Sequence, residues 1–196
     1  MAHHPPGPRT SPFLETLHLT ALSLWLCFLA TSAISASIIF PTARKLNLSL
    51  PDFPGYESDH WKIAAGQIQQ RIFLFCDAGQ LGACLAAALT LGLLLVRRRV
   101  SRRPASGIRV LAISAASVVF AYYLMILAPR MNANAADYWA QARAGQAEPA
   151  RAAQARFETD HPTASRCLAA TAGFVLCAFV AGAWSISSPR EEPPLP

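Results

Sequence analysis

The chain has 196 residues, of which 53% are hydrophobic and only 14% are charged, and its net charge is +6. Soluble domains usually contain about 25% charged residues, so this composition argues against an ordinary soluble enzyme. The positive charge does not predict nucleic-acid binding, because six of the 15 arginines crowd one short connector between two apolar stretches.

The N-terminal part of the chain predicts a disordered tail followed by a membrane span. Residues 1–13, like the C-terminal residues 188–196, are proline-rich and are expected to be disordered. Residues 17–40 are almost continuously apolar, and ~20 helical residues cross a bilayer core. The small residues Ser35–Ser37 could mimic a signal-peptide cleavage site, but the apolar run is about twice as long as a signal peptide requires. We therefore predict an uncleaved first span.

A second apolar stretch covers residues 74–96 and follows a connector, 41–62, that starts with Pro41. The prolines in this connector predict that it begins as irregular chain. From about Trp61 onward the pattern is helical without a breaker. We therefore expect a second helix that reaches well beyond the membrane thickness.

The third and fourth spans are predicted at residues 108–128 and 165–187. The connector between them, 129–164, is rich in Ala, Arg, Gln and Glu, which favour helix. It therefore predicts a helical hairpin outside the membrane, with kinks expected at Pro129 and Pro162.

The charge pattern predicts the orientation of these spans. The connector after the second span carries a basic cluster that consists of Arg97, Arg98, Arg99, Arg102 and Arg103. Arg109 follows this cluster in the chain. Under the positive-inside rule this cluster is a topogenic signal and lies in the cytoplasm, so both termini are predicted to be cytoplasmic. The predicted fold is an all-α, integral membrane four-helix bundle of the inner membrane, with up-down-up-down topology. Its second to fourth helices extend on the non-cytoplasmic side, and its main partner is the lipid bilayer.

Asp77 is the first candidate for a functional residue, because an ionised carboxylate is costly within a membrane span. On a helix, Gln70 and Cys84 share a stripe with Asp77, and Gln80 lies at the edge of that stripe. One interpretation is a proton- or ion-handling carboxylate that faces the bundle interior. The other is a carboxylate near the outer interface that a neighbouring helix holds by hydrogen bonds.

A second candidate site lies on the outer face, where His161, Asp160 and His60 could meet. Haem would need paired ligands within the spans, and the soft sulfur ligands for copper are scattered over several helices. We therefore predict no cofactor and no metal site. The cysteines form no CxxC pair and are expected to be buried apolar residues rather than disulfides. No catalytic motif is present, so the chain is not predicted to be an enzyme.

Several short motifs follow one another along residues 14–187. In chain order they are His18 with Trp25, Phe40-Pro41, Ala65-Gly66-Gln67-Ile68 before Arg71-Ile72-Phe73, Ala128-Pro129-Arg130-Met131-Asn132, and Phe157 with His161 and Ser165. In order and spacing they resemble the transmembrane-protein-205-like family, also described as domain of unknown function 4149. That family often has a glycine pair where this chain has Leu26-Cys27. The resemblance implies a four-span membrane fold and supplies no catalytic residues.

Two functional hypotheses follow from these patterns. The first is a structural or interaction protein, such as an accessory subunit or a homo-oligomer, because small residues permit close helix packing. These small residues are Gly79, Gly82, Ala86, Gly173, Ala178 and Gly182. The alternative is a small transporter, or an ion- or metal-handling protein, that uses the Asp77 stripe.

Overall fold

The computed structural model describes residues 12–96 and 104–187. The elements in chain order are α1 (Pro12–Leu46), α2 (His60–Val96), α3 (Pro104–Tyr122), a π-helical turn (Tyr123–Leu127), α4 (Ala128–Arg143) and α5 (Ala147–Ser187). Because α3, the π turn and α4 follow one another without a break, the described residues form four helical rods. Each rod is long and apolar enough to cross a membrane. The predicted all-α four-helix bundle is confirmed, and the chain is a multi-pass membrane protein.

Some predictions fall on residues outside the described ranges. These residues are 1–11, 188–196 and the basic cluster Arg97, Arg98, Arg99, Arg102 and Arg103. Within the described range, α1 already begins at Pro12. Pro12 and Phe13, which were predicted to belong to the tail, are therefore part of the first helix.

Neighbouring rods are antiparallel, and hydrogen bonds between them define their register. His18 Nδ1 of α1 lies 2.8 Å from Thr90 Oγ1 near the end of α2. Further along α1, the Ser35 hydroxyl accepts a hydrogen bond of 3.0 Å from the Gln69 amide near the start of α2. α1 packs mainly against α2, whereas α5 packs against α3, α4 and α1.

The two ends of the bundle differ in how the rods are connected. The connector 47–59 and the turn 144–146 lie at one end, which we call the hairpin end. We call the opposite end, where α1 begins and α5 ends, the terminal end. α2, α4 and α5 continue beyond the predicted spans at the hairpin end, as the sequence predicted.

α1 continues through Pro41 and ends at Leu46, so the prediction that the first connector begins as irregular chain at Pro41 is wrong. A proline cannot donate a hydrogen bond to the carbonyl group four residues earlier, which here belongs to Ser37. Both residues are exposed, so water or lipid headgroups can satisfy that carbonyl group and the helix continues. α5 passes through Pro162 in the same way.

The π turn directly precedes Pro129. In a regular α-helix the Pro129 ring would clash with the carbonyl group of Met125, four residues earlier. A π turn contains an additional residue and is wider, and here the Ala128 N–H donates to the Tyr123 carbonyl, five residues earlier. The additional residue rotates α4 by ~100° relative to an uninterrupted α3. The π turn therefore decides which side chains of α4 face the bundle interior.

The bundle has two hydrophobic clusters. The central one is built around Trp25 and Phe120, whose rings meet edge-on with centroids 5.8 Å apart. The second lies at the hairpin end, where Phe53 and Tyr56 of the connector 47–59 are buried against α2, α4 and α5. The connector therefore covers the hairpin end of the bundle.

A glycine contact joins the connector to the hairpin turn. Gly145 has a φ of +70°, which only glycine adopts at little cost. A Cβ atom on Gly55 would lie 3.1 Å from the Gly145 Cα atom. The close approach of the two backbones therefore leaves little room for a side chain at Gly55, and the positive φ disfavours one at Gly145.

Candidate functional site

A cavity of about 350 Å³ lies in the hairpin half of the bundle. Its lining comes from the end of α1, the first half of α2, the π turn, α4 and the first half of α5. Trp61 and Lys62 border it nearest the hairpin end, Glu158 and His161 lie on its α5 side, and Asp77 and Tyr123 form its inner end. Its volume is at the lower limit of the range of ~300–1,000 Å³ that is typical of small-molecule sites.

Asp77 is only 8% exposed. Its Oδ2 atom accepts a hydrogen bond of 3.1 Å from the Tyr123 hydroxyl, and its Oδ1 atom accepts one of 3.3 Å from the Gln80 amide. Among residues 12–96 and 104–187, no lysine, arginine or histidine forms an ion pair with this carboxylate. A buried carboxylate without a countercharge is costly unless a cation or a proton joins it.

Two buried amide oxygens near Asp77 have no hydrogen-bond partner in the described part of the chain. Gln80 is fully buried, and its Oε1 atom is unpaired. Gln69 lines the cavity about two helical turns from Asp77. It is 2% exposed, and its Oε1 atom is also unpaired. Because buried polar atoms are normally hydrogen-bonded, both oxygens can accept further donors.

Seven aromatic residues line the cavity. The aromatic lining residues are Phe40, Trp61, Phe73, Tyr123, Tyr138, Trp139 and Phe157. Leu74 also lines the cavity, although its side chain is 56% exposed. One side of the cavity therefore reaches the lipid-facing surface of α2.

Charged side chains border the mouth of the cavity. Lys62 forms an ion pair with Asp59 at 2.9 Å, and the hydrogen bond from Lys62 lowers the pKa of the Asp59 carboxyl below its usual value. Glu158 is exposed and accepts a hydrogen bond of 2.7 Å from the Gln154 amide. In the described residues Glu158 has no cationic partner, whereas the charge of Lys62 is compensated.

The structure turns the predicted polar stripe of α2 towards α3 and α4. Asp77 and Gln70 line the cavity, and the Gln70 amide donates a hydrogen bond of 3.1 Å to Asn132 Oδ1 on α4. Cys84 lies outside the cavity, nearer the terminal end, where its sulfur is 3.4 Å from the Ser117 hydroxyl. Asp77 and Gln70 of the stripe therefore belong to the cavity, whereas Cys84 belongs to the central hydrophobic cluster.

The three candidate residues of the outer face do not form one site. His161 is exposed at the cavity mouth. Asp160 accepts two hydrogen bonds from Arg130, at 2.5 and 2.6 Å. His60 uses both ring nitrogens on the backbone of Leu50 and Tyr56 and so holds the connector in place. The described residues contain no group of three or more His, Cys, Asp or Glu side chains arranged to hold a metal ion.

A buried polar cluster at the terminal end escaped sequence reasoning. Arg109, which the sequence associated with the basic connector, donates a hydrogen bond of 2.9 Å to the Glu15 carboxylate inside the bundle. His18 is fully buried and lies against Thr90. Glu15 and His18 are three residues apart on one helical face, and that spacing was the one available signal. The partners of both residues come from other helices, which sequence spacing does not specify.

Comparison with protein-family models, with curated proteins and with solved structures finds no match. The resemblance to the transmembrane-protein-205-like family therefore stays a prediction. Several motif residues that carry this resemblance border the cavity, among them Phe40, Gly66, Met131, Asn132 and Phe157.

Proposed function

We propose that this protein is a small membrane transporter that admits a small amphipathic molecule to the cavity in its hairpin half. The observation that carries the proposal is the buried Asp77 carboxylate at the inner end of a cavity of about 350 Å³, where no residue of the described ranges supplies a countercharge. The aromatic walls favour an organic ligand over a small metal ion, which prefers several oxygen ligands.

In the described part of the chain, the cavity can be reached only through the flanks of the hairpin half, where lining residues such as Leu74 and His161 are exposed. In the terminal half, the space between the helices is filled by Trp25, Phe120 and their neighbours. A cavity that reaches the surface in one half of the bundle and is closed off in the other is typical of one state of a transporter. With the predicted orientation, the accessible half is the non-cytoplasmic half.

A cavity-filling variant tests the proposal. A Cβ atom on Gly66 would lie 3.5 Å from the Trp139 ring inside the cavity, whereas one on Gly92 of the same helix would meet nothing within 4 Å. We expect Gly66→Leu to weaken binding of cavity ligands by at least about tenfold and Gly92→Leu to leave binding unchanged. Binding of phenylbutylamine, phenylbutanol and phenylbutanoate to the protein in lipid nanodiscs is the measurement.

If none of these three compounds binds in a way that depends on Gly66, the proposal is wrong. Uptake of a bound compound into proteoliposomes then distinguishes a transporter from a binding protein. Uptake that depends on Gly66 supports transport, and binding without uptake contradicts it.

The accessory-subunit or homo-oligomer hypothesis is the second candidate, and outward-facing small residues favour it. Gly82 and Gly173 are exposed, and a Cβ atom on either would meet nothing within 4 Å. Such positions permit a helix of another molecule to approach closely. We expect native mass spectrometry to detect assemblies larger than one 21.1 kDa chain that the double substitution Gly82→Leu with Gly173→Leu dissociates. A single-chain mass for the unsubstituted protein would contradict this hypothesis.

A further inference from the structure

We infer that the ligand of the cavity is a lipophilic organic cation whose ammonium group binds at Asp77. This inference rests on the proposed function, because it names the chemical class of the molecule that the cavity would admit. Its evidence is the distribution of donors, acceptors and rings around the cavity.

The inner end of the cavity is short of positive charge. Asp77 is buried and has hydrogen bonds but no cationic partner among the described residues. A carboxylate in this setting gains most from a positive charge supplied by the ligand. An anionic ligand would add a second negative charge at the same place, and a neutral ligand would leave the carboxylate uncompensated.

The hydrogen-bonding groups at the inner end lead to the same conclusion. The two donors that face Asp77, the Tyr123 hydroxyl and the Gln80 amide, already donate to the carboxylate. Gln69 also lines the cavity and has an Oε1 atom without a partner in the described chain, but it lies about two helical turns from Asp77. A protonated amine carries several N–H donors and no acceptor, so the Asp77 carboxylate is the acceptor that it would use at the inner end.

The walls suit the apolar part of such a cation. Trp61, Tyr138 and Trp139 are among the aromatic residues around the space above Asp77. Aromatic faces attract organic cations, and they also bind apolar groups. The exposed side of Leu74 connects the cavity to the lipid-facing surface, which gives a lipophilic molecule a route from the bilayer.

Charges of both signs lie around the cavity. Lys62 is the basic residue of the described lining with a permanent charge, and Asp59 compensates it at 2.9 Å. Arg44 lies beside the lining, with its guanidinium 5.9 Å from the centroid of the Trp61 ring. Glu158 lines the cavity without a cationic partner in the described chain. Together with the carboxylate at the inner end, the described lining therefore carries two carboxylates and one lysine.

Three compounds of nearly equal shape test the inference. Phenylbutylamine is a cation at neutral pH, phenylbutanol is neutral and phenylbutanoate is an anion. We expect the amine to bind the full-length protein in neutral-lipid nanodiscs at least about tenfold more tightly than the alcohol, and the anion to bind most weakly. Nanodiscs without protein give the contribution of lipid partitioning.

The substitution Asp77→Asn isolates the charge. The new amide is isosteric with the carboxylate; its oxygen can keep the hydrogen bond from the Gln80 amide and its NH₂ group can donate to the Tyr123 hydroxyl, so the fold is expected to survive. We expect this variant to bind the amine about as weakly as the unsubstituted protein binds the alcohol, while its affinity for the alcohol changes little. Asp160→Asn, at a carboxylate that pairs with Arg130 and does not line the cavity, should bind all three compounds like the unsubstituted protein.

The outcomes separate this inference from the proposed function. If all three compounds bind with similar affinity and Gly66→Leu weakens all of them, the cavity is a binding site but the inference about charge is wrong. If the anion binds best, or if Asp77→Asn leaves amine binding unchanged, the inference is also wrong. If the unsubstituted protein binds the amine more tightly than the alcohol and the anion, and Asp77→Asn removes this difference, the inference holds. If no compound binds, both proposals are overturned.

Discussion

Replacing Arg109 by methionine is expected to lower the free energy of unfolding by about 3–5 kcal/mol. The Arg109 guanidinium and the Glu15 carboxylate are 2.9 Å apart, and both side chains are almost completely buried. Loss of the arginine would leave the Glu15 carboxylate in the bundle interior without a countercharge. Helices α1 and α3 would lose their hydrogen bond at the same time. Equilibrium unfolding in mixed micelles, with helical circular dichroism as the signal, measures the change.

The matched control removes both charges together. Replacement of a buried ion pair by apolar residues of similar size is often neutral or stabilising. We therefore expect Glu15→Leu combined with Arg109→Met to recover most of the stability that Arg109→Met alone loses. Equal instability of the single and double variants would mean that packing rather than charge compensation explains the loss. Arg109 lies in contact with α5, since a Cβ atom on Gly182 would lie 3.5 Å from its Cδ and Nη1 atoms.

Replacing Trp25 by alanine is expected to lower the free energy of unfolding by about 3–5 kcal/mol. Trp25 is fully buried in the central cluster, where its ring meets Phe120 edge-on. Lipid is as apolar as the protein interior, so the loss comes from van der Waals contacts and an empty space between the helices rather than from transfer to water. The same unfolding measurement checks this prediction.

Two further substitutions identify the source of that loss. Trp25→Phe keeps a ring in place and removes the indole N–H, which has no hydrogen-bond partner in the described residues. We therefore expect it to cost much less than Trp25→Ala. Leu85→Ala removes a side chain that is 61% exposed on the surface of α2, and its effect should stay below about 1 kcal/mol. If Leu85→Ala were as destabilising as Trp25→Ala, contact with lipid rather than packing in the core would explain both results.

The candidate site was only partly visible in the sequence. Asp77 could be singled out because a carboxylate in an apolar span is rare and costly, and helical periodicity places Gln70 on the same face. The cavity itself could not be predicted, because its lining comes from all four rods. Tyr123, the hydrogen-bond partner of Asp77, is 46 residues away in the chain. His60 was expected at an outer site, but it holds the connector backbone instead.

Hydropathy and helix propensity alone determined that this chain forms four long apolar helices with a helical hairpin at one end. They suffice because a chain in lipid must satisfy its backbone hydrogen bonds within each segment, so each span is decided locally. Only the tertiary structure decided that Arg109 turns inward to Glu15 and that the π turn before Pro129 redirects α4 towards the cavity. Both features depend on contacts between helices that are remote in the chain. Lipid supplies no hydrophobic force between helices, so the apolar pattern of one segment does not predict which helix it contacts.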